Sequence, residues 1–132
     1  MISVKDVSAY NYNEHILRNI NIDIEEFSIL AVIGPVNSGK STFLKLFNRL
    51  DEIKRGFRVT GELLIGEENI FDKKVIDIRR SVGFVFSKAY LLPGTVFENL
   101  VFGLHIQKIK EEVLEHKLNE VLEHYNLTEY FT

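Results

Sequence analysis

A glycine-rich run at residues 34–42, Gly-Pro-Val-Asn-Ser-Gly-Lys-Ser-Thr, constrains the fold of this 132-residue chain more than any other segment. It fits G-x-x-x-x-G-K-[ST], the pattern of a phosphate-binding P-loop. Residues 29–33 before it are all apolar, which is typical of a strand buried on both faces. Residues 41–50 after it have apolar side chains at helical spacing. A strand, a glycine loop and a helix in this order predict an α/β nucleotide-binding fold.

Each residue type in the run has a physical role on a nucleoside triphosphate. Gly34 and Gly39 allow backbone conformations in which the N–H groups curl around phosphate oxygens. Lys40 is expected to reach the β- and γ-phosphates, and the Ser41 hydroxyl is expected to coordinate Mg²⁺. We therefore predict ATP and Mg²⁺ as cofactors. The predicted loop ligands are Gly34, Pro35, Val36, Asn37, Ser38, Gly39, Lys40, Ser41 and Thr42.

Composition limits the other functions. The chain has 16 basic and 19 acidic residues, a net charge of -3, which argues against a nucleic-acid partner. It has no cysteine, so neither a disulfide nor a thiolate metal site can form. The first ten residues lack a basic start followed by an apolar core, and no apolar run reaches 18 residues. We expect neither a secretory leader nor a membrane span.

Periodicity predicts the remaining elements. Strands are expected at residues 2–7, 16–24, 58–65 and 83–86, and helices at residues 75–81, 95–104 and 110–125. Thr95 and Glu98 have the spacing of a capping box at the start of their helix. The apolar face predicted for the last helix consists of Leu114, Leu118, Val121, Leu122 and Tyr125.

The chain resembles an ATP-binding subunit of ABC transporters, most closely the ATPase of bacterial phosphate importers. The likeness runs from residue 2 to about residue 103. It lies in the P-loop and in segments 20–24, 47–51, 59–66, 79–86 and 94–103. The fold that it implies is α/β: the N-terminal part of a P-loop NTPase domain, with an antiparallel β subdomain and an incomplete parallel core sheet with helices.

The resemblance also implies an organisation and partners. Residues 1–132 would form one apparently truncated nucleotide-binding domain, with a Q-loop region at 83–94 and the start of a helical region at 95–132. Residues 87–94 would meet a membrane permease, and a second ATPase subunit would complete a homodimer. The location implied is peripheral, on the cytoplasmic face of the cell membrane. The transported solute would be phosphate or another small solute.

Two positions depart from the family pattern. The Q-loop glutamine, which touches Mg²⁺ and the attacking water, is replaced by Ser87. The aromatic residue that stacks on adenine corresponds to Asn11, between Tyr10 and Tyr12. A shift of one residue would let either tyrosine stack on the base. Alternatively, both tyrosines cover an edge of the sheet.

The family's signature loop, Walker B Asp-Glu pair, D-loop and switch histidine are not found in this sequence, so we assign no catalytic residue. Residues 63–68 superficially resemble Walker B, but Gly66 interrupts the run and the likeness favours a hairpin turn. The four histidines are scattered, and His116 and His124 are read as surface residues. The chain is therefore expected to bind ATP without hydrolysing it alone.

Several alternatives remain open at this point. The chain could be a degenerate nucleotide-binding or interaction module that does not hydrolyse ATP. A small P-loop kinase would need an arginine-rich lid, for which only Arg79 and Arg80 are adjacent. Without the second half of the implied fold, residues 29–33 would lack their neighbouring strands. We therefore expect either a piece of a longer ATPase or self-association through that edge.

Overall fold

The computed structural model describes residues 1–130, apart from the side chain of residue 111. The chain forms two compact units, an N-terminal unit of residues 1–85 and a C-terminal unit that begins at residue 86.

An antiparallel sheet of four strands forms the frame of the N-terminal unit. The strands are β1 (Ile2–Asn11), β2 (Glu14–Ile24), β3 (Phe57–Ile65) and the short β4 (Glu68–Asn69). Their order across the sheet is β2-β1-β3-β4, and every neighbouring pair is antiparallel. The antiparallel β subdomain predicted from the sequence is thus confirmed.

Two short helices pack with the sheet in this unit, α1 (Lys40–Leu46) and α2 (Val75–Ser81). Their buried side chains, Phe43 and Leu46 from α1 and Ile78 from α2, join the sheet in one hydrophobic core. The sheet contributes Val4, Val7, Ala9, Leu17 and Leu63. Because α1 directly follows the P-loop, this core fixes the position of the loop's C-terminal end.

Helix α1 is shorter than the predicted span of residues 41–50, since it ends at Leu46. Arg49 has a left-handed φ of 52°. Its N–H donates to the carbonyl of Leu46, and the N–H of Leu50 donates to that of Lys45. This is a Schellman motif, which usually has glycine at the left-handed position. The arginine side chain holds the turn, donating to Glu52 and to the carbonyls of Ile70 and Lys73.

Two strands predicted from apolar runs are not formed. Residues 29–33 and 83–86 belong to no strand, and no parallel pair exists within residues 1–130. A strand needs a neighbouring strand to bond its backbone, and the sheet described within residues 1–130 consists of β1 to β4 and includes neither segment. The prediction of a parallel core sheet from these two segments is therefore wrong for this structure.

The C-terminal unit contains two helices, α3 (Val96–Ile106) and α4 (Glu111–His124), and a 3-10 turn at Thr128–Tyr130. The predicted capping box of α3 is confirmed, with Thr95 as the N-cap residue and Glu98 as its partner. On the predicted apolar face of α4, Leu114 and Leu122 are buried, whereas Val121 and Tyr125 are exposed. No helix within residues 1–130 is long and apolar enough to cross a bilayer.

Candidate nucleotide-binding site

The glycine loop is built from left-handed backbone conformations. Positive φ angles occur at Gly34 (156°), Asn37 (64°) and Gly39 (89°). Gly39 is the N-cap of α1 and approaches β2 closely. A Cβ atom there would lie 2.8 Å from Leu17 Cδ2 and 3.1 Å from the carbonyl oxygen of Ile16. Glycine is thus required at this position both by its conformation and by the space available.

Lys40, the first residue of α1, turns its side chain back over the loop. Its Nζ atom donates to the carbonyl oxygens of Gly34 at 2.8 Å and Pro35 at 2.6 Å, and lies 3.4 Å from Ser38 Oγ. The N–H of Ser38 also donates to the carbonyl of Pro35, at 3.3 Å. These contacts hold the loop in a curl around the ammonium group. The positive charge is therefore placed where an anion entering the loop would meet it.

A cavity of about 520 Å³ lies against the loop. It is lined by Glu14, Ile16, Val36, Asn37, Ser38, Gly39, Lys40, Ser41 and Thr42. The structure thus brings together seven of the predicted loop residues, and Gly34 and Pro35 join them through Lys40. Glu14 and Ile16 on β2 were not identified from the sequence, because only the folded sheet places them beside the loop.

The chemical groups at this cavity fit a polyphosphate with a magnesium ion. The residues that line it include Lys40, which carries an ammonium group, and Ser41 and Thr42, which carry hydroxyls. Within residues 1–130, no three histidine, cysteine or acidic side chains cluster as metal ligands. A Mg²⁺ ion here would take its other ligands from phosphate oxygens and water, which is its usual preference.

Tyr10 is enclosed between its cross-strand neighbours. It pairs with His15 on β2 and with Arg58 on β3. The His15 ring stacks on it at 4.1 Å between centroids, and the Arg58 guanidinium carbon lies 3.8 Å from the tyrosine centroid. Since these neighbours come from opposite sides of β1, they cover both faces of the ring. This packing is what the covering role predicts, and stacking of Tyr10 on adenine stays an untested prediction.

Tyr12 lies in the turn between β1 and β2 and is 60% exposed. Its φ is 52°, and its N–H donates to the carbonyl of Gly56 at 2.8 Å. A Cβ atom on Gly56 would lie 2.7 Å from the Tyr12 ring, so the ring rests on this glycine. The contact supports one side of an aromatic ring that remains largely accessible to a second planar group.

The other predicted or rejected site residues lie as follows. Gly66 and Glu67 form the turn of the β3–β4 hairpin, as predicted, so residues 63–68 are not a Walker B strand. Arg79 donates to the carbonyls of Asn48 and Arg49, and Arg80 pairs with Asp77 at 3.8 Å. Both arginines thus bond within the N-terminal unit, which does not favour the lid of a small kinase.

Residues 87–94 lie in the C-terminal unit, where Ser87 is exposed and Tyr90 and Leu91 project into solvent. Asn99 of α3 holds this segment. Its Oδ1 accepts from the N–H of Leu92 at 2.7 Å, and its Nδ2 donates to the carbonyls of Leu92 and Thr95. The segment is thus an exposed apolar loop tied to the start of a helix.

Comparison with known proteins gives concordant results. A family model described as "ABC transporter" matches residues 17–131. The chain is 40% identical over 124 residues to the "Phosphate import ATP-binding protein PstB" of Bacteroides fragilis, covering 92% of this chain and 49% of that protein. The proteins of the same name from Bacteroides thetaiotaomicron and Pseudoalteromonas translucida are each 37% identical over 92% of this chain, and 49% and 44% of their own lengths are covered. The chain therefore spans about half the length of these curated relatives.

Proposed function

The chain belongs to the ABC transporter family and corresponds to the N-terminal portion of its ATPase domain, and from this premise we propose that it binds ATP together with Mg²⁺. The observation that carries the proposal is the curled loop with the Lys40 ammonium bonded to the carbonyls of Gly34 and Pro35. In the bound state this ammonium would exchange those carbonyl oxygens for phosphate oxygens, which are charged and therefore stronger acceptors.

The remaining loop residues would hold the triphosphate through different chemical groups. Backbone N–H groups of residues 36–39 would donate to phosphate oxygens, as loops with left-handed residues do. The hydroxyl of Ser41 would be a Mg²⁺ ligand, and that of Thr42 would add a phosphate contact. Glu14 also lines the cavity, and its carboxylate would repel a phosphate that came too close to β2.

For the adenine base we propose stacking on Tyr12 and not on Tyr10. Tyr12 is exposed and supported from one side by Gly56, whereas both faces of Tyr10 are covered. Stacking of a base on an aromatic ring contributes about 1–3 kcal/mol.

We propose that this nucleotide site serves solute import, with phosphate as the solute. Support comes from the relatives, which are named as phosphate import ATP-binding proteins. The exposed apolar segment 87–94 would meet a permease, and a second ATPase subunit would pair with this one on the cytoplasmic face of the membrane. The Q-loop region at 83–94, the helical region from 95 onward and the single domain over 1–132 remain predictions.

A second candidate function is nucleotide binding without hydrolysis, and Ser87 favours it. The serine hydroxyl is carried on one carbon, so it reaches less far toward a metal or water than a glutamine amide. The sequence also has no residue that we can assign as the base for the attacking water. In this role the chain would respond to ATP through binding alone.

Titration of the full chain with ATP and Mg²⁺ in a calorimeter tests ATP binding. Lys40→Ala should weaken the affinity about ten- to hundredfold, because a charge-assisted hydrogen bond contributes about 1.5–3 kcal/mol. Lys5→Ala, an exposed lysine on β1, is the matched control and should leave the affinity unchanged. Equal affinity of the Lys40→Ala variant and the unmodified chain would rule out the proposed site. Lys40-dependent hydrolysis by the chain alone would exclude the second candidate function.

The same titration separates the two tyrosines. Tyr12→Ala should weaken ATP binding about five- to hundredfold, through loss of the stacked base. Tyr10→Ala should leave the ATP affinity close to that of the unmodified chain and lower the stability of the sheet instead, since its ring is packed between His15 and Arg58. A larger affinity loss in Tyr10→Ala than in Tyr12→Ala would reverse this assignment.

A further inference from the structure

The hairpin that joins β1 and β2 brings Glu14 to the nucleotide cavity. Glu14 is the first residue of β2 and pairs with Asn11 across the turn. It lines the cavity of about 520 Å³ together with Ile16, and the other lining residues within residues 1–130 all belong to the loop or to the start of α1. His15, between the two, instead stacks on Tyr10. The hairpin therefore adds to this cavity one charged side chain that does not come from the loop.

The carboxylate of Glu14 is available to a ligand. The residue is exposed, and its carboxylate forms no hydrogen bond or ion pair within the described part of the chain. An ionised carboxylate accepts hydrogen bonds and donates none. It repels phosphate groups, which carry the same sign of charge and offer acceptors only. The part of a nucleotide that suits Glu14 is therefore one that carries hydrogen-bond donors and no charge.

The neighbours of Glu14 along the chain indicate which part of the nucleotide this is. Tyr12, proposed to stack on adenine, lies two residues before it in the turn. Ile16, two residues after it, borders the phosphate-binding loop, since a Cβ atom on Gly39 would lie 3.1 Å from the carbonyl oxygen of Ile16. In ATP the ribose joins the base to the phosphates. A nucleotide held at Tyr12 and at the loop would thus place its sugar, with two hydroxyl donors, near Glu14.

We propose that Glu14 determines specificity for the sugar: its carboxylate accepts hydrogen bonds from the ribose hydroxyls, so the site prefers ribonucleotides to nucleotides that lack those hydroxyls. The proposal rests on the ATP binding proposed above and adds recognition of the sugar to it. Acidic residues bind ribose in the same way in dinucleotide-binding folds, where a carboxylate accepts from the 2′-hydroxyl. The negative charge of Glu14 also opposes binding of any triphosphate, so the contact is measured by a ratio of two affinities and not by one affinity.

The test is calorimetric titration of the full chain with ATP and with 2′,3′-dideoxyATP, both in the presence of Mg²⁺. The unmodified chain should bind ATP about two- to tenfold more tightly, the range expected for a net hydrogen bond. Glu14→Ala should bring this ratio to about one. Glu14→Gln should keep part of the preference, because its amide oxygen still accepts a hydrogen bond. Glu62→Ala, at an exposed glutamate on β3 that does not line the cavity, is the control and should leave the ratio unchanged.

The outcomes separate this proposal from ATP binding itself. If the unmodified chain binds ATP through Lys40 but binds both nucleotides equally, recognition of the sugar by Glu14 is overturned and the nucleotide site stands. A preference for ATP that persists in Glu14→Ala would overturn the proposal too, even if both affinities changed by a common factor, because the carboxylate would then act on another part of the nucleotide. A chain that binds neither nucleotide would overturn both proposals.

Discussion

Residues 29–33 and the loop that begins at Gly34 are neighbours in the sequence but opposites in the structure. The polar groups of the loop find hydrogen-bond partners within the loop. Lys40 Nζ donates to the carbonyls of Gly34 and Pro35, and the N–H of Ser38 donates to the carbonyl of Pro35. The five apolar residues before it make no backbone hydrogen bond within residues 1–130, and two of their side chains are almost wholly exposed. A loop whose polar groups are hydrogen-bonded to one another thus follows a segment whose backbone makes no hydrogen bond within residues 1–130.

The distance along the chain over which partners must be found explains the difference. Every hydrogen bond that shapes the loop joins residues at most six positions apart, so little chain entropy is lost in forming it. The strand needs neighbours that lie far away in the sequence or on another polypeptide. Short-range structure therefore forms independently of the long-range sheet that would surround it.

The largest effect is expected at Gly39, where the loop approaches strand β2 closely. Gly39→Ala places a side chain at a left-handed φ of 89° and against Leu17. The conformation costs about 1–2 kcal/mol and the overpacking about 1–3 kcal/mol. Urea denaturation should show a loss of about 2–5 kcal/mol, the sum of the two effects.

Gly83→Ala is the control for this variant, because no atom lies within 4 Å of the added methyl group. Its stability should stay within about 0.5 kcal/mol of the unmodified chain. If Gly39→Ala lost equally little stability, the conformation of the loop would not depend on its contact with β2.

A smaller effect on the free energy of unfolding should distinguish the packed from the exposed side chains of residues 29–33. Val32→Ala removes a side chain packed on the core and should cost about 1 kcal/mol, from the lost transfer free energy of its methyl groups. Ile29→Ala removes an exposed side chain and should change stability by less than about 0.5 kcal/mol. Denaturation of both variants measures the comparison, and equal losses would mean that Ile29 is already covered in solution.

Sequence reasoning succeeded where structure is local. Helix α2 was predicted at its observed bounds, and the capping box of Thr95 was read from a spacing of three residues. The P-loop was also predicted from contiguous residues, and its role in nucleotide binding stays a prediction. The end of α1 was missed because its left-handed turn uses Arg49, held by distant carbonyls, in place of the usual glycine.

Features that depend on residues distant in the sequence could not be predicted from the pattern of apolar residues. The apolar runs at 29–33 and 83–86 predicted strands, yet whether a strand forms depends on a neighbour that the pattern does not supply. Similarly, two aromatic residues flanked the position expected to hold adenine, and only cross-strand register showed that Tyr10 lies between His15 and Arg58. The position of Glu14 beside the cavity at the loop depends on the folded sheet too.

The smallest effect is expected in the C-terminal unit, at the capping box of α3. Its hydrogen bonds, like those of the loop, join residues close together in the sequence. The Thr95 backbone N–H, and then its hydroxyl, donate to the Glu98 carboxylate and hold its pKa below the ordinary glutamate value. A lowered folded-state pKa means that the stabilisation is present above the ordinary value and is lost as the pH falls through the lowered one. Thr95→Ala removes the hydroxyl donor and keeps the backbone donor, so in an NMR titration it should move the Glu98 midpoint part of the way back toward the ordinary glutamate value. An unchanged Glu98 midpoint in this variant would show that the hydroxyl bond of the capping box does not persist in solution.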